Sequence, residues 1–131
     1  MTGGTLSLIA SSLGTPYEIE TRGRIVFMED VGEEPYRVDR MLVQLIAAGK
    51  LHDAAGFAVG HFTGADARNC PAKKSLTMKQ VFADHLLPLK RPILTNVAVG
   101  HVPDQVTLPY GASARIDAGA GTLEILQSGV S

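Results

Sequence analysis

Phe27-Met-Glu-Asp-Val-Gly-Glu-Glu-Pro-Tyr-Arg-Val-Asp-Arg-Met-Leu42 is the stretch from which the rest of the chain is read. Ile25 to Met28 is a short apolar strand that runs into two carboxylates, Glu29 and Asp30. An acidic turn with Gly32 follows, and Pro35 opens a helix. Tyr36, Val38, Met41, Leu42, Leu45 and Ile46 recur there at helical spacing, and Gly49 stands at its end. Strand ends in α/β proteins are where ligands bind and catalytic side chains emerge. A carboxylate beside an apolar strand costs solvation unless it is paired. The best partner is His101, which follows Val97-Ala-Val-Gly100 at the end of another apolar segment.

Toward the N-terminus, Thr5 caps a short helix over about Leu6–Leu13, with Gly14 as its stop, and Tyr17–Thr21 reads as a strand. The chain enters that cap with no leading strand, which reads as a cut inside a longer protein. Toward the C-terminus, Ala54–Gly60 is a second buried strand, and residues 61–76 form a long polar loop. Thr77 caps a helix to about Leu87, stopped by Pro88, and Pro92 to Val99 is a third strand. The short segments Gln105–Pro109, Ala112–Asp117 and Thr122–Leu126 alternate apolar and polar residues between Gly-rich turns. The alternation of strands and helices predicts an α/β layered domain over residues 1–131, with a mostly parallel core sheet and a small C-terminal β meander.

The 131 residues are 45% hydrophobic and 19% charged, the composition of a chain that buries a core. A net charge of −1 with interspersed signs leaves no electrostatic footprint for nucleic acid. Lys73-Lys74 and Lys90-Arg91 read as solvated loop ends. The single cysteine, Cys70, excludes an internal disulfide framework and suits a reducing compartment. No apolar run approaches the roughly 18 residues that span a bilayer, and no signal peptide is evident.

The residues resemble a known family. Gly3-Gly-Thr-Leu-Ser-Leu-Ile-Ala10, Leu13-Gly-Thr-Pro-Tyr17, Ile25-Val-Phe-Met-Glu-Asp30 and Pro35-Tyr-Arg-Val-Asp-Arg-Met-Leu42 follow the order of motifs in the C-terminal domain of LD-carboxypeptidases. Ala55-Gly-Phe-Ala-Val-Gly60, Pro92-Ile93, Gly100-His101 and Thr107-Leu-Pro-Tyr-Gly111 continue it. These are serine peptidases of family S66, which also includes the microcin C immunity peptidases. The resemblance implies a swivelling β/β/α domain that follows an N-terminal α/β domain. It implies a Ser-His-Glu triad in which Glu29 is the acid and His101 the base, with the serine in the N-terminal domain, outside this chain. The family's usual Gly-Gly-Asn start reads Gly3-Gly4-Thr5 here, a swap of one capping residue for another.

What the resemblance implies for the intact enzyme is release of terminal D-alanine from murein tetrapeptides during cytoplasmic peptidoglycan recycling, without a cofactor. The isolated domain is then expected to be inactive. Its partners are the serine-bearing domain and the substrate, and apolar surface left at the docking face favours a homodimer. Two alternatives stand beside this: a microcin C-type immunity peptidase acting on a peptidyl-nucleotide, and a non-catalytic binding module on the same fold. Within the chain no nucleophile stands out. Ser7, Ser11 and Ser12 lie on the first helix, Ser75 precedes a cap, Ser113 lies in a strand, and Cys70 is a loop thiol. His52, His61, His85 and His101 lack the spacing of a metal site. Asp30 is read as a cap or brace of the acidic turn, and Arg37, Arg40 and Asp39 as surface pairs on the helix.

Overall fold

The expected alternation becomes a three-layer arrangement in the computed structural model, which describes residues 1–65 and 75–129. Four parallel strands stand side by side in chain order: β1 (Thr2–Thr5), β2 (Ile25–Val31), β3 (Gly56–Thr63) and β4 (Ile93–Leu94). Helices α1 (Leu6–Ser11), α2 (Pro35–Ala47) and α3 (Met78–Leu86) cover one face of this sheet. An antiparallel hairpin of β5 (Ala114–Asp117) and β6 (Thr122–Ile125) covers the other. The α/β class, the parallel sheet and the C-terminal meander are those expected from the sequence.

Period-two alternation in β2 sorts its side chains between the layers. Val26 and Met28 enter the helix-side core with Leu6, Val38, Leu42 and Phe57. Ile25 and Phe27 enter the hairpin-side core with Ala58 and Val99, against Ile116 and Leu123. The helix-side core is the larger, and Phe57, Leu42, Val38, Val81 and Leu86 are all fully enclosed there. Each such side chain contributes about 1.5–3 kcal/mol by leaving water. Proline opens α2 as expected, and Gly49 (φ +74) follows its end. Thr77 opens α3 through a reciprocal capping box, accepting from the Gln80 N–H at 3.2 Å while the Gln80 side chain accepts from the Thr77 N–H at 2.9 Å.

Several expectations are corrected. Thr2–Thr5 is a leading strand, paired Thr2 with Val26 through Thr5 with Glu29. Two glycines hide it from β-propensity reasoning. A Cβ on Gly3 would lie 2.0 Å from the Phe27 carbonyl oxygen, so only glycine permits this close approach of β1 to β2. Tyr17–Thr21 is not a strand. Strand β2 does not stop at Met28 but carries Glu29 and Asp30 inside it. Strand β3 runs on to Thr63, taking His61 out of the expected loop. The third expected strand is only Ile93–Leu94, because Asn96 adopts a left-handed conformation (φ +58) that takes the chain out of the ladder. Its continuation still follows β3, with the Val97 N–H donating to Val59 O at 3.1 Å and the His61 N–H to Val99 O at 3.0 Å. Gln105–Pro109 is irregular. Asp39 pairs with His85 of α3 at 2.7 Å rather than with an arginine, while Arg37 lies 3.7 Å from Glu33. Cys70, Lys73 and Lys74 lie outside the described residues.

Candidate active site

Glu29 and Asp30 sit in the last third of β2, where the alternation sends them to opposite faces. Asp30 is 3% exposed and turns toward the helices. Its Oδ2 accepts the Ser7 N–H at 2.8 Å in the first turn of α1, and Oδ1 accepts its neighbour's N–H, that of Val31, at 2.8 Å. Asp30 thus caps α1 rather than the acidic turn. A carboxylate at a helix start meets unpaired N–H groups and the positive end of the helix dipole.

Glu29, 7% exposed, faces the hairpin side. There the β2–β3 register slips: Met28 lies opposite Val59, but Asp30 lies opposite Phe62. The additional residue in β3 opens the ladder beside Glu29, a device that re-aims side chains near functional sites. Backbone from two glycines closes on the glutamate. A Cβ on Gly60 would lie 2.6 Å from Val99, and one on Gly100 would lie 3.0 Å from Glu29 Oε2. Gly100 also takes φ +115, the tight bend expected of it.

That bend delivers His101. Its Nδ1 lies 2.9 Å from Glu29 Oε2, so the two residues singled out in the sequence are in direct hydrogen-bond contact. The Thr63 hydroxyl donates to the His101 carbonyl at 3.2 Å and ties the bend to the end of β3. An ionised carboxylate only accepts, so in a neutral ring Nδ1 carries the proton and Nε2 is left with its lone pair. Among the described residues nothing hydrogen-bonds Nε2. The histidine side chain is 53% exposed and the glutamate side chain 9%. A buried acid therefore holds an imidazole that looks outward. It looks into an open cleft of about 630 Å³, walled by Phe27, Val102, Pro103, Val106 and Leu108, with Gln105 as a polar group.

Two residues of this site escaped the sequence reading. Thr5 donates its hydroxyl to Glu29 Oε1 at 2.6 Å. Tyr110 stacks edge-on against Phe27, with ring centroids 5.5 Å apart, and donates its hydroxyl to the Gly3 carbonyl. Burial, and then the charge of Glu29, raise the Tyr110 hydroxyl above the ordinary tyrosine value. The signal for Thr5 was its place opposite Glu29 in a strand that the sequence hid; for Tyr110 it was the Thr107–Gly111 motif, which carried no assigned role.

Three of the serines named in the sequence spend their hydroxyls on backbone. The hydroxyls of Ser11, Ser12 and Ser75 donate to nearby backbone carbonyls at 3.0, 2.9 and 3.2 Å. Among the described residues no three His, Cys, Asp or Glu side chains are grouped to hold a metal ion, and no helix is long and apolar enough to cross a membrane.

Comparison with known proteins places this chain in a family. The family profile described as LD-carboxypeptidase C-terminal domain matches residues 1–116. A "Probable murein peptide carboxypeptidase" of Bacillus subtilis is 45% identical over 134 residues, a match covering 100% of this chain and 40% of the relative. The "Murein tetrapeptide carboxypeptidase" of Pseudomonas aeruginosa is 28% identical, covering 88% and 36%. Among solved structures, the muramoyltetrapeptide carboxypeptidase of Oxalobacter formigenes superimposes with a TM-score of 0.82 at 32% identity, over 95% of this chain and 44% of that one. The microcin C7 self immunity protein MccF shares the fold, with a TM-score of 0.85 at 21% identity over 99% of this chain and 38% of that one. The chain thus spans about two-fifths of the length of these relatives. A profile match over most of the chain, together with relatives aligned along its whole length, shows that it belongs to the LD-carboxypeptidase family, S66, as the C-terminal domain.

Proposed function

We propose that this chain is the C-terminal catalytic half of a serine-type LD-carboxypeptidase and supplies the acid and the base of its triad. The observation that carries the reading is the 2.9 Å contact between His101 Nδ1 and Glu29 Oε2, with the half-exposed ring lining an open cleft. Glu29 holds the ring's tautomer and stabilises the imidazolium that forms. Nε2 of His101 takes the proton of a serine hydroxyl contributed by a preceding domain, and that serine attacks the scissile carbonyl. The tetrahedral intermediate collapses to an acyl-enzyme as His101 returns the proton to the departing amine of D-alanine. Water, deprotonated by the same nitrogen, then releases the shortened peptide. The proposed substrate class is supported by relatives named for murein peptide and murein tetrapeptide carboxypeptidases. The domain alone lacks the nucleophile and is inactive.

The test is incubation of the full-length protein with a murein tetrapeptide. Stoichiometric release of D-alanine and a tripeptide is expected from the full-length protein and none from residues 1–131. The likeness to MccF supports the fold of an immunity peptidase. Hydrolysis of a peptidyl-adenylate with no action on the tetrapeptide would replace the proposed substrate with a peptidyl-nucleotide. Binding of either compound without turnover would make the domain part of a non-catalytic binding module.

A further inference from the structure

Thr5 ends β1 and begins α1, with the backbone of an N-cap (φ −64, ψ 121). A threonine there ordinarily turns its hydroxyl back onto an N–H of the first turn. Thr5 makes no such bond. The Asp30 carboxylate takes that place, accepting the Ser7 N–H at 2.8 Å. Released from capping, Thr5 faces its register partner Glu29 and donates to Oε1 at 2.6 Å, within the short range of a hydroxyl bonded to an ionised carboxylate.

The two oxygens of Glu29 therefore carry separate loads: Oε1 is held by Thr5, and Oε2 meets His101 Nδ1. The last torsion of a glutamate is broad, and one contact leaves the carboxylate plane free to rock. A second donor on the other oxygen removes that freedom. The donor is well suited to this, because a β-branched side chain in the strand has a restricted first torsion. We propose that Thr5 is a positioning residue. It clamps the Glu29 carboxylate so that Oε2 stays on Nδ1 and the imidazole keeps Nε2 as its basic nitrogen. The consecutive acids of β2 then cooperate, since Asp30 caps the helix and thereby frees the threonine that orients Glu29. The inference rests on the reading of Glu29 and His101 as triad acid and base.

The experiment compares Thr5→Val, which keeps the shape and removes the donor, with Thr5→Ser, which keeps the donor, and uses Thr5→Ala as a second donor-free variant. All are made in the full-length protein. Thr5→Val and Thr5→Ala are expected to lower kcat roughly tenfold to a hundredfold, with KM within about twofold, and Thr5→Ser to stay within about threefold of wild type. Alongside, ¹⁵N NMR of the histidine-labelled protein, with the His101 ring assigned by its loss in His101→Ala, reads the tautomer. Wild type and Thr5→Ser are expected to show the Nδ1–H form, and the donor-free variants a mixture of both forms. Wild-type kcat and tautomer in Thr5→Val would overturn the clamp, as would equal losses in Thr5→Ser and Thr5→Val, which would show that keeping the hydroxyl donor does not preserve function. Absence of peptidase activity in the wild type would instead sink the functional reading, while the ring's tautomer would still report on the clamp.

Discussion

The helix-covered face of the central sheet and its hairpin-covered face are built from the same strands, yet they hold different kinds of residue. On the helix side, Phe57, Leu42 and Val38 have no exposure, and the one acid from β2, Asp30, is spent on capping α1. On the hairpin side the core is thinner, with Phe27 at 8% and Val99 at 5%, and the acid from β2 meets a half-exposed imidazole beside a cleft. Adjacent residues, Glu29 and Asp30, are thus sent to opposite faces by the period of a strand, one toward the proposed chemistry and the other toward the helix start. Substitutions on the hairpin face should therefore fall mainly on turnover, and those on the helix face mainly on stability.

The largest expected effect is on the hairpin side. Glu29→Ala or His101→Ala in the full-length protein should lower kcat by about 10³- to 10⁴-fold, with a thermal transition close to wild type. Steady-state kinetics with calorimetry checks both halves, and near-normal turnover in either variant would erase the contrast between the faces. On the helix side, Phe57→Ala should cost about 3–5 kcal/mol by leaving a cavity in the larger core, read from urea unfolding. The folded fraction should retain wild-type kcat.

Asp30→Ala tests where the faces touch. Loss of the cap should cost about 1 kcal/mol of stability. It should also lower kcat severalfold, because the Thr5 hydroxyl can then turn back to the open end of α1. A stability loss with unchanged kcat would separate the two carboxylates completely. The smallest effect is expected at Tyr110→Phe, which removes a half-exposed hydrogen bond worth less than about 1 kcal/mol. Its pH dependence has a definite sign. The folded-state value of Tyr110 is raised, so its contribution is complete below the ordinary tyrosine value of 10.0 and fades as pH rises through the folded value. The stability difference between wild type and Tyr110→Phe should therefore shrink above about pH 10, measured by urea unfolding across that range.

Much of this architecture was legible in the residues, for reasons that differ by element. Helix α2 announces itself through Pro35, its 3.6-residue apolar period and Gly49, and α3 through Thr77 as its cap and Pro88 as its stop. These signals are local, as the physics of helix ends is local. The positions of Glu29 and His101 were legible because each follows an apolar run. Strand β1 was not, since Gly3 allows close approach to Phe27 and Gly4 lies against the Tyr110 hydroxyl, contacts that exist only after folding. With β1 unseen, the pairing of Thr5 with Glu29 was invisible too, and Thr5 read as an ordinary cap. The slip between β2 and β3 likewise lies where Val99 packs against Gly60, and no local pattern announces it.

The most direct trial of the account is a crystal structure of the full-length protein that resolves the surroundings of the His101 ring. A serine Oγ from a preceding domain is expected within hydrogen-bond reach of Nε2, about 2.6–3.2 Å, while Nδ1 remains on Glu29. A ring that has left Glu29, or an Nε2 that faces no hydroxyl with the domains packed together, would contradict it.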